Sequence, residues 1–303
     1  MPTVLIGGGS GLIGIHLSNL LKEKGYHVIL LSRKGDLNAT FPRYAWNLET
    51  GEIDDQAILK ADYVINLTGA GIADKRWTAS RKKIIIESRV KSMELFKNAF
   101  TKLNKTPKAF ISASATGFYG NRKDELLNEN SAAGDGFLAE STQAWEKSTE
   151  SLKLMDMRFV TIRIGIVLSI KGGALPKLAL SQNFGIGSYF SDGKAYYPWI
   201  HIDDLCNIFI RSIENENMAG TFNGVAPNTV TNYELTKAAA KATNKSVLMV
   251  PVPAFLLRLG MGEMADVVLT SAKVSSQKLI DSGFKFKFAE VIPALKDLFK
   301  RKV

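Results

Sequence analysis

VLIGGGSGLIGIHLSNLL, residues 4–21, decides the fold. Val4–Ile6 is an apolar run of strand type, and beyond Ile13 the apolar residues recur at helical spacing, so the chain passes from strand to helix through glycine. Gly8, Gly11 and Gly14 stand at every third position of that turn. Glycine allows the tight bend and a close approach of main chain to ligand, while the helix N-terminus offers amide donors and positive potential. The predicted ligand is a dinucleotide pyrophosphate, held by Gly8, Gly9, Ser10, Gly11, Leu12, Ile13 and Gly14.

Working outward, the same alternation repeats. VILLS (28–32), YVINL (63–67), AFISAS (109–114) and VTIRIG (160–165) read as strands apolar on both faces. GIHLSNLLKEKG, SRVKSMELFKNAFTKL and AESTQAWEKSTESLKLM between them have apolar spacings of three and four. The expected class is α/β, a Rossmann doubly wound parallel sheet over residues 1–168, with a smaller substrate-side domain over 169–303 and a return to the sheet at 196–226. Residues 169–199 read as glycine-rich and irregular. A proline-started apolar segment follows at 250–264, and its Leu and Met stripe from 255 to 264 reads as core or dimer surface, so a homo-oligomer is open.

The second strand ends in Ser32, Arg33 and Lys34, where a carboxylate would bind a ribose 2′-hydroxyl and repel a 2′-phosphate. A hydroxyl and a guanidinium accept the phosphate instead, so the predicted cofactor is NADP(H). Asn47 follows the short strand YAW within reach of the adenine edge, and Leu67, Thr68 and Gly69 form a small-residue turn after the third strand. Arg89 reads either as a cation beside the cofactor or as a solvated arginine.

Composition narrows the partners. One cysteine, Cys206, excludes an internal disulfide, and three histidines form no zinc-spaced cluster, so the expectations are a reducing cytoplasm and no metal. The net charge of +10 raises a nucleic-acid partner, but the cations are scattered and no reader motif accompanies them. The apolar N-terminus is broken by glycine before membrane-spanning length, so no membrane segment is expected. A small-molecule substrate remains.

The motifs GGGSGLIG, LSRK, WN (46–47), NLTGAG, SRV (88–90), SATGFYG, FLAESTQAWE, RIGIVLS, YPWIHIDDL and FNGVAP together resemble the atypical or extended short-chain dehydrogenase/reductases, and among them the epimerase-family proteins, also labelled nucleoside-diphosphate-sugar epimerase-like or cell-division-inhibitor-like. That resemblance implies an oxidoreductase or epimerase. It places Ser32, Arg33, Leu67, Thr68, Arg89 and the Arg163–Gly165 turn around NADP. It also implies a catalytic hydroxyl, tyrosine and lysine. Ser114 takes the place of the hydroxyl. Counted back from Glu146, the tyrosine and lysine positions fall on Leu138 and Thr142, and no tyrosine occurs between Tyr119 and Tyr189. Lys147 lies five residues beyond Thr142, roughly 140° away around the helix. Tyr119 is the first candidate for a replacement proton donor, with packing under the site as its other reading; Glu140 and His201 are further candidates. Lys177, Lys194, Tyr196, Tyr197 and Trp199 offer groups for an anionic or aromatic ligand without naming one. Two readings stay open: an NADP(H)-dependent oxidoreductase or epimerase on an unidentified small molecule, and a cofactor-bound sensor that has lost catalysis.

Overall fold

A computed structural model describes residues 1–301. Its centre is an eight-stranded sheet containing β1 (Thr3–Gly7), β2 (His27–Ser32), β3 (Arg43–Asn47), β4 (Glu52–Ile53), β5 (Tyr63–Asn66), β6 (Ala109–Ala115) and two later strands, Arg158–Ile164 and Gly220–Gly224. From one edge the order is Gly220–Gly224, Arg158–Ile164, β6, β5, β1, β2, β3, β4, and every neighbouring pair is parallel except β3 with β4. Leu5, Ile6, Val64, Ile65, Phe110, Ile111 and Val160 are wholly buried, as parallel strands covered on both faces require. β1 has β2 on one side and β5 on the other, so the winding reverses there and opens a crevice at the strand ends.

The covering helices include α1 (Leu12–Glu23), α2 (Asp55–Lys60), α3 (Ala79–Leu103) and α4 (Phe137–Ser148). α3 starts well before the segment that spacing alone marks, because the Thr78 hydroxyl accepts from the Arg81 amide at 3.1 Å and caps it. Phe96 and Phe100 on its buried face meet Phe110 of β6 edge-on.

The stretch 169–199 is more ordered than expected. It contains a helix, Ala174–Gln182, and a strand, Ile186–Phe190, that pairs in parallel with Leu248–Val252. The partner lies some sixty residues on, so no local pattern marks the pairing. The chain then forms the helix Ile202–Glu214 and the strand Gly220–Gly224, which rejoins the central sheet beside Arg158–Ile164. The helix Ala254–Met261 has no buried residue, and Phe255 and Leu259 are 68% and 76% exposed, so this stripe is not core. No helix among the described residues is long and apolar enough to cross a membrane.

His201 caps the helix Ile202–Glu214 through Nδ1, which accepts from the Asp203 amide at 3.0 Å. Burial pulls its imidazole down to about 4. Asp203 and Asp297, which with His201 could group around a cation, are bridged by the Arg301 guanidinium at 2.5 and 2.6 Å. A fixed organic cation already neutralises them and ties the C-terminal helix Val291–Lys300 to the sheet side.

Candidate functional site

The glycine loop divides its labour by position. Gly8 has φ +76°, and a Cβ there would meet the Leu67 main chain at 2.7 Å. A Cβ at Gly14 would strike the Gly8 carbonyl at 2.6 Å, so this glycine lets α1 pack onto the loop. At Gly11 the nearest atom would be 3.4 Å away, leaving open space over the loop. α1 has no side-chain N-cap and no acid in its first turn, so its first amides and positive end face the opening unsatisfied. These observations fit a pyrophosphate cradle.

The opening is a cleft of about 1020 Å³. Gly8, Ser10, Gly11, Ser32, Arg33, Lys34, Asn47, Leu67, Thr68 and Gly69 line it, as the sequence led us to expect. Gly9, Leu12 and Ile13 do not: Gly9 packs against Leu30, and Leu12 against Gly172 and Gly173, so any contact to a ligand is through their main chain. Arg43, Trp46 and Ser88 line the cleft without having been marked. Arg43 lies at the start of β3, where a reciprocal main-chain bridge to Asp36 brings it to the turn after Arg33 and Lys34, a placement the sequence pattern does not mark. The Ser32 hydroxyl donates to the Lys34 carbonyl and holds the corner turn. Asn47 Oδ1 accepts from the Glu49 amide at 2.9 Å, which leaves only its side-chain NH₂ for a base edge.

Arg89 is a half-buried cation held by main chain, not a freely solvated one. Its Nη1 donates to the Ile85 and Ala70 carbonyls at 2.8 and 3.1 Å, its guanidinium lies 4.8 Å over the Trp145 ring, and a Cβ on Gly69 would touch it at 2.8 Å. Burial lowers it to about 10, which keeps it charged at neutral pH. It stands between the cleft and a second, smaller cavity of about 200 Å³, which it also lines.

That cavity sits where the short-chain chemistry would take place. Its walls come from Ala115–Gly117 at the end of β6, from Leu138, Ser141, Thr142 and Trp145 of α4, from Ile164–Ile166, and from Tyr197, Pro198, Val267, Thr270 and Ala272. Leu138 and Thr142, where the family resemblance implies a tyrosine and a lysine, line the cavity. Gly165 lines the wall, and a Cβ on it would collide with the Pro198 carbonyl at 2.1 Å. Arg89 is the one charged residue among the lining residues.

Ser114, Tyr119 and Arg163 are not on this wall. Sheet register places Ser114, Arg163 and Asn223 side by side across three strands, and they form a buried network. Arg163 makes a two-pronged pair with Glu146, Nε and Nη2 each at 2.8 Å, and Ser114 Oγ donates to the same carboxylate at 2.6 Å. Tyr119 is fully buried; its hydroxyl donates to Asn223 Oδ1 at 2.7 Å and accepts from Arg163 Nη1 at 3.0 Å. Burial raises its pKa above the ordinary phenol range. The proton-donor expectation for Tyr119 and the substrate-orienting one for Ser114 therefore lack the geometry they need, and Arg163 lies beneath the site instead of against a cofactor. Glu140 and His201 do not line the cavity either. Thr116, two residues beyond Ser114, does line it. Its hydroxyl is tied only to the Ile164 carbonyl at 3.4 Å.

Known proteins resemble this chain in sequence and fold. The profile of the NAD dependent epimerase/dehydratase family matches residues 4–223, and that of a domain of unknown function, DUF1731, matches 252–298. An epimerase family protein of Mycobacterium leprae, ML0860, is 33% identical over 96% of this chain and 94% of its own. The crystal structure of human epimerase family protein SDR39U1 with NADPH superposes with a TM-score of 0.87 at 30% identity, covering 99% of this chain and all of that one. A nucleoside-diphosphate sugar epimerase from Corynebacterium glutamicum matches with a TM-score of 0.78 at 32% identity, over 98% of this chain and 58% of that one. The glycine cradle at the reversal of the sheet, the matched profile and relatives aligned over nearly the whole length agree: the chain belongs to the NAD dependent epimerase/dehydratase family.

Proposed function

We propose that the protein binds NADP(H) and reduces a small carbonyl compound at the cavity beside Arg89. The observation that carries the cofactor choice is the corner at the end of β2, where Arg33, Lys34 and Arg43 converge on the cleft and residues 32–34 include no carboxylate. The SDR39U1 structure with NADPH supports the same choice. In this reading the Gly8–Gly11 amides and the start of α1 hold the pyrophosphate, the cationic corner with Ser32 holds the 2′-phosphate, and Asn47 meets the adenine. Leu67–Gly69, Arg89 and Gly165 border the ribose and nicotinamide, which when bound supplies or accepts a hydride.

The proton is the harder half. Among the described residues no carboxylate, histidine or lysine lines the cavity and the Tyr197 hydroxyl is spent on the Val268 carbonyl, so no side chain there is fitted to remove a proton from an alcohol, as epimerisation through a ketone requires. Reduction is less demanding, because an alkoxide takes a proton from water. Thr116 is the hydroxyl best placed to orient the carbonyl oxygen, and Arg89 contributes fixed positive charge. Ser114, Glu146, Arg163 and Tyr119 act from below by fixing the strand ends that carry Thr116 and Gly165.

Tyr197 is the one acid–base side chain among the described lining residues, and its hydroxyl is spent on the Val268 carbonyl, which equally favours the second reading, a cofactor-bound sensor without turnover. Titration with NADPH and NADH, followed by nicotinamide fluorescence, tests the cofactor. NADPH should bind at least tenfold more tightly, and Arg33→Ala should remove most of that preference while leaving NADH unchanged. Equal binding of the two by the wild-type protein would refute the NADP(H) assignment. Oxidation of NADPH in the presence of carbonyl compounds then separates enzyme from sensor.

A further inference from the structure

We infer that the cavity takes a small, neutral, largely apolar molecule with one hydrogen-bond acceptor, and not a nucleoside diphosphate sugar. The inference deepens the reductase reading, on which its chemistry rests, but the binding it claims is independent of the cofactor.

Size comes first. Drug-sized ligands occupy roughly 300–1,000 Å³, and this cavity offers about 200 Å³. The walls are the second reason. Leu138, Ile164, Ile166, Pro198, Val267 and Ala272 present carbon, and most polar neighbours are committed to main chain. Ser141 and Thr142 donate to the Leu138 carbonyl at 3.0 and 2.7 Å, Tyr197 donates to the Val268 carbonyl at 2.5 Å, and Arg89 is bound as described. Besides the Thr270 hydroxyl, which makes no hydrogen bond among the described residues, the exception is Trp145. It is 6% exposed, forms part of the wall, and its indole N–H has no partner. A buried donor left alone calls for an acceptor, and a carbonyl oxygen supplies one.

Charge is the third reason. The recess that adjoins the cavity through Leu138 and Thr270 carries Asp135, Asp266 and Arg258, and Arg258 is already paired with Asp266 at 3.0 Å. The remaining charge is negative. A pyrophosphate with two negative charges would be repelled there, and the one cation on the cavity wall among the described residues, Arg89, already spends Nη1 on two carbonyls. The lysine-rich recess lined by Lys245, Lys296 and Lys300 shares no wall with the cavity.

Calorimetric titration of the full chain, with and without saturating NADPH, decides the matter with four probes: acetophenone, ethylbenzene, UDP and UDP-glucose. Acetophenone should bind more tightly than ethylbenzene, and UDP and UDP-glucose should not bind at millimolar concentration. Trp145→Phe should weaken acetophenone about tenfold and ethylbenzene less than twofold; Leu138→Trp, which fills the space, should abolish both while NADPH binding persists. UDP-glucose binding more tightly than acetophenone overturns the proposal, as does no acetophenone binding, or acetophenone binding that Trp145→Phe leaves intact. A protein that binds acetophenone but not NADPH refutes the cofactor reading alone.

Discussion

The cofactor cleft and the cavity share Arg89 as their seam but are made of different material. The cleft is built from main chain and glycine: a loop with open space over Gly11, bare amides at the start of α1, and exposed cations at its rim. The cavity is built from side chains delivered by seven separate stretches of chain and is largely apolar. A main-chain site tolerates drift in most side chains. A side-chain site changes with single substitutions, and the family resemblance implies a tyrosine and a lysine where Leu138 and Thr142 stand.

The largest effect should come from the network beneath the cavity. Arg163→Leu leaves Glu146 buried without its cation and Tyr119 without a donor, and should cost about 3–5 kcal/mol of stability in denaturant unfolding. A loss below 1 kcal/mol would mean that the network is not what fixes the strand ends. Next in size is a gain. Leu138→Tyr combined with Thr142→Lys puts an acid–base pair on the wall already shaped for it, and should raise NADPH-dependent carbonyl reduction on the order of 100-fold. An unchanged rate would show that the cavity lost more than those two groups.

Stability against pH sharpens the contrast from outside, since no histidine lines either region. His201 is the group to watch. Burial holds its folded pKa at about 4, below the ordinary 6.5, so the unfolded chain binds the proton first as pH falls. Stability should be unaffected by this group above pH 6.5 and decline by roughly 2 kcal/mol towards pH 4.5. His201→Gln should flatten that window, and a slope that survives the substitution would assign the effect elsewhere. The smallest expected change is the most specific. Gly11→Ala meets nothing closer than 3.4 Å, so the melting temperature should hold while NADPH affinity falls about tenfold, through obstruction of the phosphate approach. Equal loss of stability and binding would mean that Gly11 serves the fold and not the ligand.

Legibility followed the same divide. Ser32, Arg33 and Lys34 were readable because they adjoin a strand whose end the apolar run marks. Arg43 was not, because only its main-chain bridge to Asp36 brings it to them. Leu138 and Thr142 could be placed because helical spacing is local. Ser114, Arg163 and Asn223 are aligned by register across three strands, which left the roles of Ser114 and Tyr119 open to misreading. Glu146, which holds that network, entered the sequence reading only as a landmark.

By itself, then, the sequence determined the α/β class, the glycine cradle and the cationic corner. All of these are written in contiguous residues with periods of two, three or four. Only the tertiary structure decided which polar groups face the ligand and which are buried beneath it. That choice is made by hydrogen-bond partners distant in the chain, and a side chain's direction depends on the neighbour that satisfies it.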